Sequence, residues 1–121
     1  SVASFDIDAN ANQVANHLCS TWDHTAYLAD VMALSRDYRI YVNLITEHLT
    51  SIPEWRKTLP AGSIVLASNT DLSDVDHYNT CDSMNEFLDR LGVLVPLDTQ
   101  TVTAYTADGT AMNRWIVLFA S

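Results

Sequence analysis

The sequence has very few basic residues, and this shortage argues against two classes of partner. Of 121 residues, six are Lys or Arg and fifteen are Asp or Glu, which gives a net charge of −9. The one lysine is Lys57, and the arginines are scattered along the chain. Nucleic acids and anionic membranes bind proteins through clustered cations. We therefore expect neither a nucleic acid nor a membrane as a partner.

Glycine and proline are also scarce, with three of each in the chain. A loop that cradles phosphate needs closely spaced glycines, and no such pattern is present, so we predict no cofactor. No apolar run approaches the ~18 residues that a membrane-spanning helix needs. Hydrophobic residues still make up 48% of the chain, which excludes a disordered protein. The length is typical of a single globular domain over residues 1–121.

The two cysteines, Cys19 and Cys81, allow one disulfide. A bond that closes so long a loop would stabilise the fold by about 4 kcal/mol in the chain-entropy model. Disulfides are typical of oxidising compartments, so this hypothesis slightly favours an extracellular protein over a cytoplasmic one. Two free buried thiols are the alternative, because cysteine often serves as a small core residue.

Local signals predict short strands and helices along the chain. We predict a strand over Val2–Ile7 and a helix over Asn10–Cys19, whose apolar residues are spaced by four. Either Asp8 or Asn10 is placed to cap that helix. A helical turn is predicted to open at Pro53. The residues Ser63–Ser68 have the apolar composition of a buried strand.

The strongest helix signal begins at Ser83. Ser83 and Glu86 have the spacing of a capping box, in which the side chain of each residue bonds the backbone of the other. Gly92 is suited to the left-handed conformation that ends such a helix. The sequence therefore predicts a helix between these two ends.

An apolar stripe with spacings of three and four residues runs from Tyr27 to Ile52. It predicts one long helix, or two with a break near Arg36, with Asp23 as the N-cap. A strand over Tyr38–Ile45 is the competing interpretation, because this segment is rich in strand-forming residues. We prefer the helix.

The C-terminal residues predict a β-hairpin. Asp108-Gly109 indicates a two-residue type I′ turn, which would pair Val102 with Trp115. One face would then hold Val102, Ala104, Trp115, Val117 and Phe119. Because both faces carry apolar residues, we expect helices to cover one and a partner chain to cover the other.

The order of these signals predicts the fold class. Helices come first and paired strands come last along the chain. We predict an α+β fold, with a helical N-terminal half packed on a small antiparallel sheet and a C-terminal β-hairpin.

The densest polar cluster lies between Asp71 and Asn79. Its oxygen donors suit Ca²⁺ or Mg²⁺, and its histidine suits a transition metal, which gives three candidate metal ligands: Asp74, Asp76 and His77. The spacing is not that of an EF-hand loop. An acidic turn that only caps the next helix is the alternative.

His48 lies on the apolar stripe and is the candidate acid–base group, with Glu47 or Asp30 as a neighbouring acid. Aromatic side chains on the same stripe and on the hairpin predict an amphipathic pocket between helix and sheet. The candidate catalytic residues are His48, Tyr38 and Tyr41, and the candidate binding residues are Tyr27, Trp115 and Tyr105. A purely structural role for these aromatic residues is the alternative.

Two classes of function follow from these patterns. The first is a small acidic interaction or effector protein, secreted and self-associating through its hairpin, since no catalytic motif is evident. The second is a small enzyme without a cofactor, of the isomerase, cyclase or hydrolase type, with a small-molecule substrate in the aromatic pocket. The first class is slightly favoured, with a protein partner or a second copy of the chain as its partner.

Overall fold

The computed structural model describes residues 2–6, 8–18, 24–28 and 38–121. These residues form two compact units, one before position 36 and one after it. Both units combine helices with strands, and the predicted α+β class is confirmed. No helix in the described part of the chain is long and apolar enough to cross a membrane.

The first unit is a strand–helix–strand unit. It consists of β1 (Val2–Asp6), α1 (Ala9–Leu18) and β2 (His24–Leu28). The two strands run parallel, with Asp6 opposite Leu28. The predicted first strand and first helix are therefore confirmed.

The helix α1 begins where Asp8 caps it. The Asp8 carboxylate accepts hydrogen bonds from the N–H groups of Asn10 at 2.8 Å and Ala11 at 3.2 Å. These N–H groups have no partner within the first turn of a helix, so the carboxylate satisfies them and favours the helix start. Of the two predicted caps, the structure selects Asp8.

The second unit contains a four-stranded sheet in the order β3-β4-β6-β5. The strand β3 runs parallel to β4, whereas β4 and β5 both run antiparallel to β6. The sheet is therefore mixed rather than purely antiparallel. The elements of this unit are β3 (Ile40–Asn43), a 3₁₀ helix (Thr46–His48), α2 (Ile52–Lys57), β4 (Ile64–Thr70), α3 (Met84–Leu91), β5 (Asp98–Tyr105) and β6 (Ala111–Ala120).

The core of the second unit lies where the sheet meets α2 and α3, which also contact each other. Its largest fully buried side chains belong to both helices and to β6: Ile52, Trp55, Phe87, Leu91 and Phe119. Burying an aliphatic or aromatic side chain of this size stabilises the fold by about 1.5–3 kcal/mol. These apolar contacts hold α2 and α3 against the sheet.

The sequence signals at the helix ends are confirmed. The Ser51 hydroxyl accepts the N–H of Glu54 at the start of α2, and Pro53 lies in the first turn. At the start of α3, Ser83 Oγ accepts the N–H of Glu86 at 3.1 Å. The Glu86 carboxylate accepts the N–H of Asp82 at 2.6 Å, one residue earlier than in the standard box, and this bond holds the pKa of Glu86 below its ordinary value. Left-handed Gly92, with φ of 67°, ends the helix.

The predicted long helix between Tyr27 and Ile52 is wrong wherever the structure describes this segment, and residues 29–37 lie outside the described residues. Tyr27 lies in β2, and the competing strand interpretation is correct around Tyr41, which β3 contains. Pairing along β4 satisfies the backbone of β3, and this tertiary contact outweighs the helical spacing of the apolar residues. The predicted N-cap at Asp23 lies outside the described residues.

The hairpin is confirmed, but its predicted register is wrong by one residue. Tyr105 lies opposite Ala111 and the Thr106 N–H donates to Thr110 O, so three residues rather than two make the turn. Its last residue, Gly109, has φ of 83°, as in a type I turn followed by a left-handed glycine.

This slip turns the side chains of β5 to the opposite face from that expected. Val102 lies opposite Arg114, and Thr101 lies opposite Trp115. Almost all of β5 is exposed, so the predicted apolar face shared by both strands is wrong. Of the two strands of the described hairpin, β6 alone contributes alternate residues to the core: Trp115, Val117 and Phe119.

We expect Gly109→Ala to lower the free energy of unfolding by roughly 1 kcal/mol, because an L side chain is strained at this positive φ. A Cβ here would meet no atom within 4 Å, so the loss comes from the backbone alone. Urea unfolding measures the effect. Gly109→Asn is the matched control and should lose less, because Asn tolerates this conformation. Equal stability of Gly109→Ala and the wild type would contradict the turn assignment.

Candidate functional site

The carboxyl ends of β3 and β4 lie at the same edge of the sheet, because these two strands are parallel. Ligands of open sheets with parallel strands bind at such an edge. The 3₁₀ helix Thr46–His48 follows β3 at this edge, and the loop 71–83 follows β4. The candidate site is built from these two segments.

Asn69 holds the two segments together. Its side-chain N–H groups donate to Thr46 Oγ1 and to Asn79 O, both at 2.9 Å. Its Oδ1 accepts the N–H groups of Thr70 at 2.8 Å and Cys81 at 2.9 Å. Asn69 is fully buried, and its side-chain amide donates two hydrogen bonds and accepts two. This network makes the edge rigid.

Glu47 is a buried carboxylate at the centre of this edge, with a relative exposure of 1%. Its Oε1 accepts a hydrogen bond from Arg114 Nη2 at 2.7 Å. Arg114 Nη1 donates to Leu44 O at 2.7 Å and to Ser68 Oγ at 2.8 Å, so the guanidinium is held in one orientation. The second oxygen, Glu47 Oε2, is buried without a hydrogen-bond partner.

Two histidines meet beside Glu47. The rings of His48 and His77 lie edge to face, with centroids 4.9 Å apart. A ligand atom from each histidine and a carboxylate oxygen of Glu47 all lie within 4.8 Å of one another. His48 is exposed and His77 is half-buried, so the group opens to solvent.

The structure separates the predicted metal ligands. His77 joins Glu47 and His48, whereas Asp74 and Asp76 are exposed and outside that group. The Asp74 carboxylate accepts the N–H of Val75 at 2.7 Å, as expected of an acidic residue in a turn. A role of Asp74 or Asp76 in metal binding stays a prediction.

The predicted catalytic residues fall into two places. His48 follows the carboxyl end of β3, whereas Tyr38 precedes that strand and Tyr41 lies near its beginning. The two tyrosine rings pack edge to face with centroids 6.1 Å apart, and the Tyr38 N–H donates to the Tyr41 hydroxyl at 3.0 Å. Because Tyr41 lies in β3, no helix aligns these two tyrosines in the described part of the chain, and their catalytic roles stay predictions.

The predicted binding residues are also dispersed. Trp115 is a core residue whose indole N–H donates to Cys81 O at 2.7 Å. Tyr105 ends β5 and is 72% exposed. Tyr27 lies in β2 of the other unit. The predicted helix that would carry the tyrosines is not seen in the described part of the chain, and the binding roles of Tyr27, Trp115 and Tyr105 stay predictions.

The predicted disulfide is not supported. Cys81 is a free and fully buried thiol, and Cys19 lies outside the described residues. Burial raises the pKa of the Cys81 thiol from 9.0 to about 11. Cys81 is therefore a neutral core side chain at physiological pH.

Sequence reasoning found part of this site and missed part of it. Glu47 was one of two acids proposed beside His48, and the other, Asp30, lies outside the described residues. The pairing of Arg114 with Glu47 was missed. The sequence did contain a signal for this pairing: Arg114 directly precedes the apolar run Trp115–Ala120. A charged side chain beside a buried strand segment needs a partner, because an unpaired buried charge is costly.

Comparisons with known proteins identify the fold. The chain is similar to the N-methyltransferase NodS from Bradyrhizobium japonicum WM9, with a TM-score of 0.68 and 12% identity over 98% of this chain and 73% of that one. The same enzyme in complex with S-adenosyl-l-homocysteine matches with a TM-score of 0.65 and 11% identity over 98% and 66%. A SAM-dependent methyltransferase structure from Methanosarcina mazei matches with a TM-score of 0.67 and 10% identity over 96% and 79%.

These likenesses show the fold of SAM-dependent methyltransferases. Other matched structures are longer, and the chain spans about half of their length. No protein-family model and no curated protein matches the chain.

The interpretation as an interaction or effector protein is wrong, because these neighbours are methyltransferases. The isomerase, cyclase or hydrolase alternative is not matched either. Self-association through the hairpin is not shown.

We expect Arg114→Met to lower the free energy of unfolding by about 3 kcal/mol, because it leaves the buried Glu47 carboxylate unpaired. The double variant with Glu47→Gln should lose less than the sum of the two single changes. Urea unfolding of the four proteins measures this coupling. Arg90→Met, which breaks the more exposed Arg90–Glu86 pair, is the control and should cost below about 1 kcal/mol. Additive losses would contradict a direct Glu47–Arg114 interaction.

We expect the buried Cys81 thiol to make stability depend on pH in the alkaline range. Its pKa is raised when folded, so its contribution is fully present below pH 9.0 and is lost as pH rises through about 11. The stability difference between the wild type and Cys81→Ala should therefore shrink over this range. Unfolding in urea at several pH values measures it. A difference that does not change with pH would contradict the assignment.

Proposed function

We propose that the protein is a methyltransferase that uses S-adenosylmethionine. The observation that carries this proposal is the fold, which matches such enzymes over 96–98% of the chain, one of them in complex with S-adenosyl-l-homocysteine. When bound, S-adenosylmethionine supplies a methyl group on a positively charged sulfur: an acceptor lone pair bonds to the methyl carbon, the carbon–sulfur bond breaks, and the acceptor loses a proton.

The end of β1 has a residue suited to the ribose of this cosubstrate. Asp6 is the last residue of β1, which is parallel to β2 and is followed by α1. In nucleotide-binding folds, an acid at the carboxyl end of a parallel strand accepts hydrogen bonds from the ribose hydroxyl groups. We assign this role to Asp6.

The turn between β1 and α1 favours a ligand without phosphate. The N–H groups of Asn10 and Ala11 in the first turn of α1 already donate to the Asp8 carboxylate. A phosphate needs such N–H groups free, and close approach of the backbone needs glycine, which this turn lacks. S-adenosylmethionine contains no phosphate, so the residues present fit it better than a dinucleotide.

The charge of the chain supports the same ligand. The net charge of −9 favours a cationic small molecule over an anionic one. S-adenosylmethionine carries a net positive charge, and the product loses the charge on sulfur. The acidic chain therefore attracts the cosubstrate more strongly than the product.

We expect Asp6→Asn to weaken the binding of S-adenosylmethionine by about tenfold or more, because a hydrogen bond to a charged group contributes about 1.5–3 kcal/mol. Isothermal titration calorimetry with S-adenosylmethionine, S-adenosylhomocysteine and NAD measures binding. The matched control is Asp98→Asn, an exposed change at the start of β5 that should leave affinity unaltered.

Three results would contradict parts of this proposal. A folded wild-type protein that binds neither sulfur compound would overturn the proposed function. Equal affinities of wild type and Asp6→Asn would remove the role of Asp6. Tighter binding of NAD than of S-adenosylmethionine would contradict the interpretation of the turn at Asp8.

A further inference from the structure

The group of Glu47, His48 and His77 has the composition of a metal site. Two imidazoles and one carboxylate are ligands that Zn²⁺, Co²⁺ and Fe²⁺ accept. The three ligand atoms lie within 4.8 Å of one another, although His77 is far from the other two in sequence. The fold brings them together at the carboxyl ends of β3 and β4.

The free oxygen of Glu47 is the second observation that points to a ligand. Glu47 is 1% exposed, and its Oε2 has no hydrogen-bond partner, whereas Oε1 is paired with Arg114. A buried carboxylate oxygen without a partner is costly, and most such atoms in folded proteins are satisfied. A cation bound at Oε2 would satisfy it, and Arg114 would orient the carboxylate as outer-sphere partners of metal ligands do.

The ring of His77 is in the correct tautomer for metal binding. Its Nδ1 lies 2.5 Å from the carbonyl oxygen of Leu72, which can only accept a hydrogen bond. Nδ1 therefore carries the hydrogen, and the lone pair of the neutral ring is on Nε2. A carbonyl that holds the other ring nitrogen is the usual arrangement around a metal-ligating histidine.

The backbone holds the His77 loop against Glu47. The N–H groups of Tyr78 and Asn79 donate to the carbonyl oxygen of Glu47 at 2.9 and 3.1 Å. The Asn79 side chain also donates to Leu49 O at 2.5 Å. These bonds connect the loop directly to the 3₁₀ helix, so two of the three ligands are positioned before any ion arrives.

We propose that Glu47, His48 and His77 bind one divalent transition-metal ion. Metal–ligand bonds of 2.0–2.2 Å place tetrahedral ligands about 3.4 Å apart, so the three ligand atoms, which lie within 4.8 Å of one another, must move closer together when an ion binds. Three protein ligands leave a position for water or for a lone pair of a substrate. The proposal does not depend on S-adenosylmethionine, because metal binding is measured without it.

The test is titration of the metal-free protein with Zn²⁺ by calorimetry, and with Co²⁺ by visible absorption. We expect one ion per chain, and we expect His48→Ala and His77→Ala each to weaken binding by about tenfold or more. His17→Ala is the matched control, because His17 is an exposed histidine on α1 of the other unit, and it should bind like the wild type. The joint variant Asp74→Asn with Asp76→Asn should also bind normally.

His48→Ala is the decisive variant because His48 is exposed and its loss leaves the core intact. Unchanged affinity in folded His48→Ala, an equal loss in His17→Ala, or no bound ion in the wild type would each overturn the proposal. If only the joint variant of Asp74 and Asp76 lost binding, the proposal would be overturned, because the ion would then be bound by these two aspartates. Zn²⁺ should also raise the melting temperature of the wild type more than that of His48→Ala.

Discussion

The buried ion pair between Glu47 and Arg114 joins the parts of the second unit on which its site depends. Arg114 comes from β6, and Glu47 comes from the 3₁₀ helix after β3. Arg114 also donates hydrogen bonds to Leu44 O, directly after β3, and to Ser68 Oγ, in β4. A buried carboxylate without such partners is costly, so these contacts of Arg114 stabilise this edge of the sheet.

A polar hydrogen-bond network holds together the segments at this edge of the sheet. Asn69 connects both segments, and the carbonyl oxygen of Glu47 anchors the loop that carries His77. This edge is formed by the carboxyl ends of the parallel strands β3 and β4. In open sheets with parallel strands, ligands bind at the carboxyl ends of the strands. The proposed cosubstrate role of Asp6 belongs to the first unit, and the proposed metal ion belongs to the second.

The hairpin and β3 show where local patterns are insufficient. Asp108-Gly109 identified the turn, but the Asp108 carboxylate bonds Thr106 and Thr110 in a three-residue turn. These bonds lower the pKa of Asp108 to about 2, the bond from Thr106 having the largest effect. Around Tyr41, apolar spacing resembled a helix, yet parallel pairing with β4 made a strand. Register and pairing depend on partners that are distant in sequence, so a local pattern cannot select them.

The sequence by itself determined the features that depend on neighbouring residues. Pro53, Ser83 and Gly92 mark helix ends because a fixed φ, a side-chain oxygen or a positive φ acts within one turn of backbone. Only the tertiary structure decided that His48 and His77 meet beside Glu47, and that Arg114 neutralises this buried carboxylate. Those contacts arise from the order of strands in the sheet, and that order is set by long-range pairing and burial rather than by local spacing.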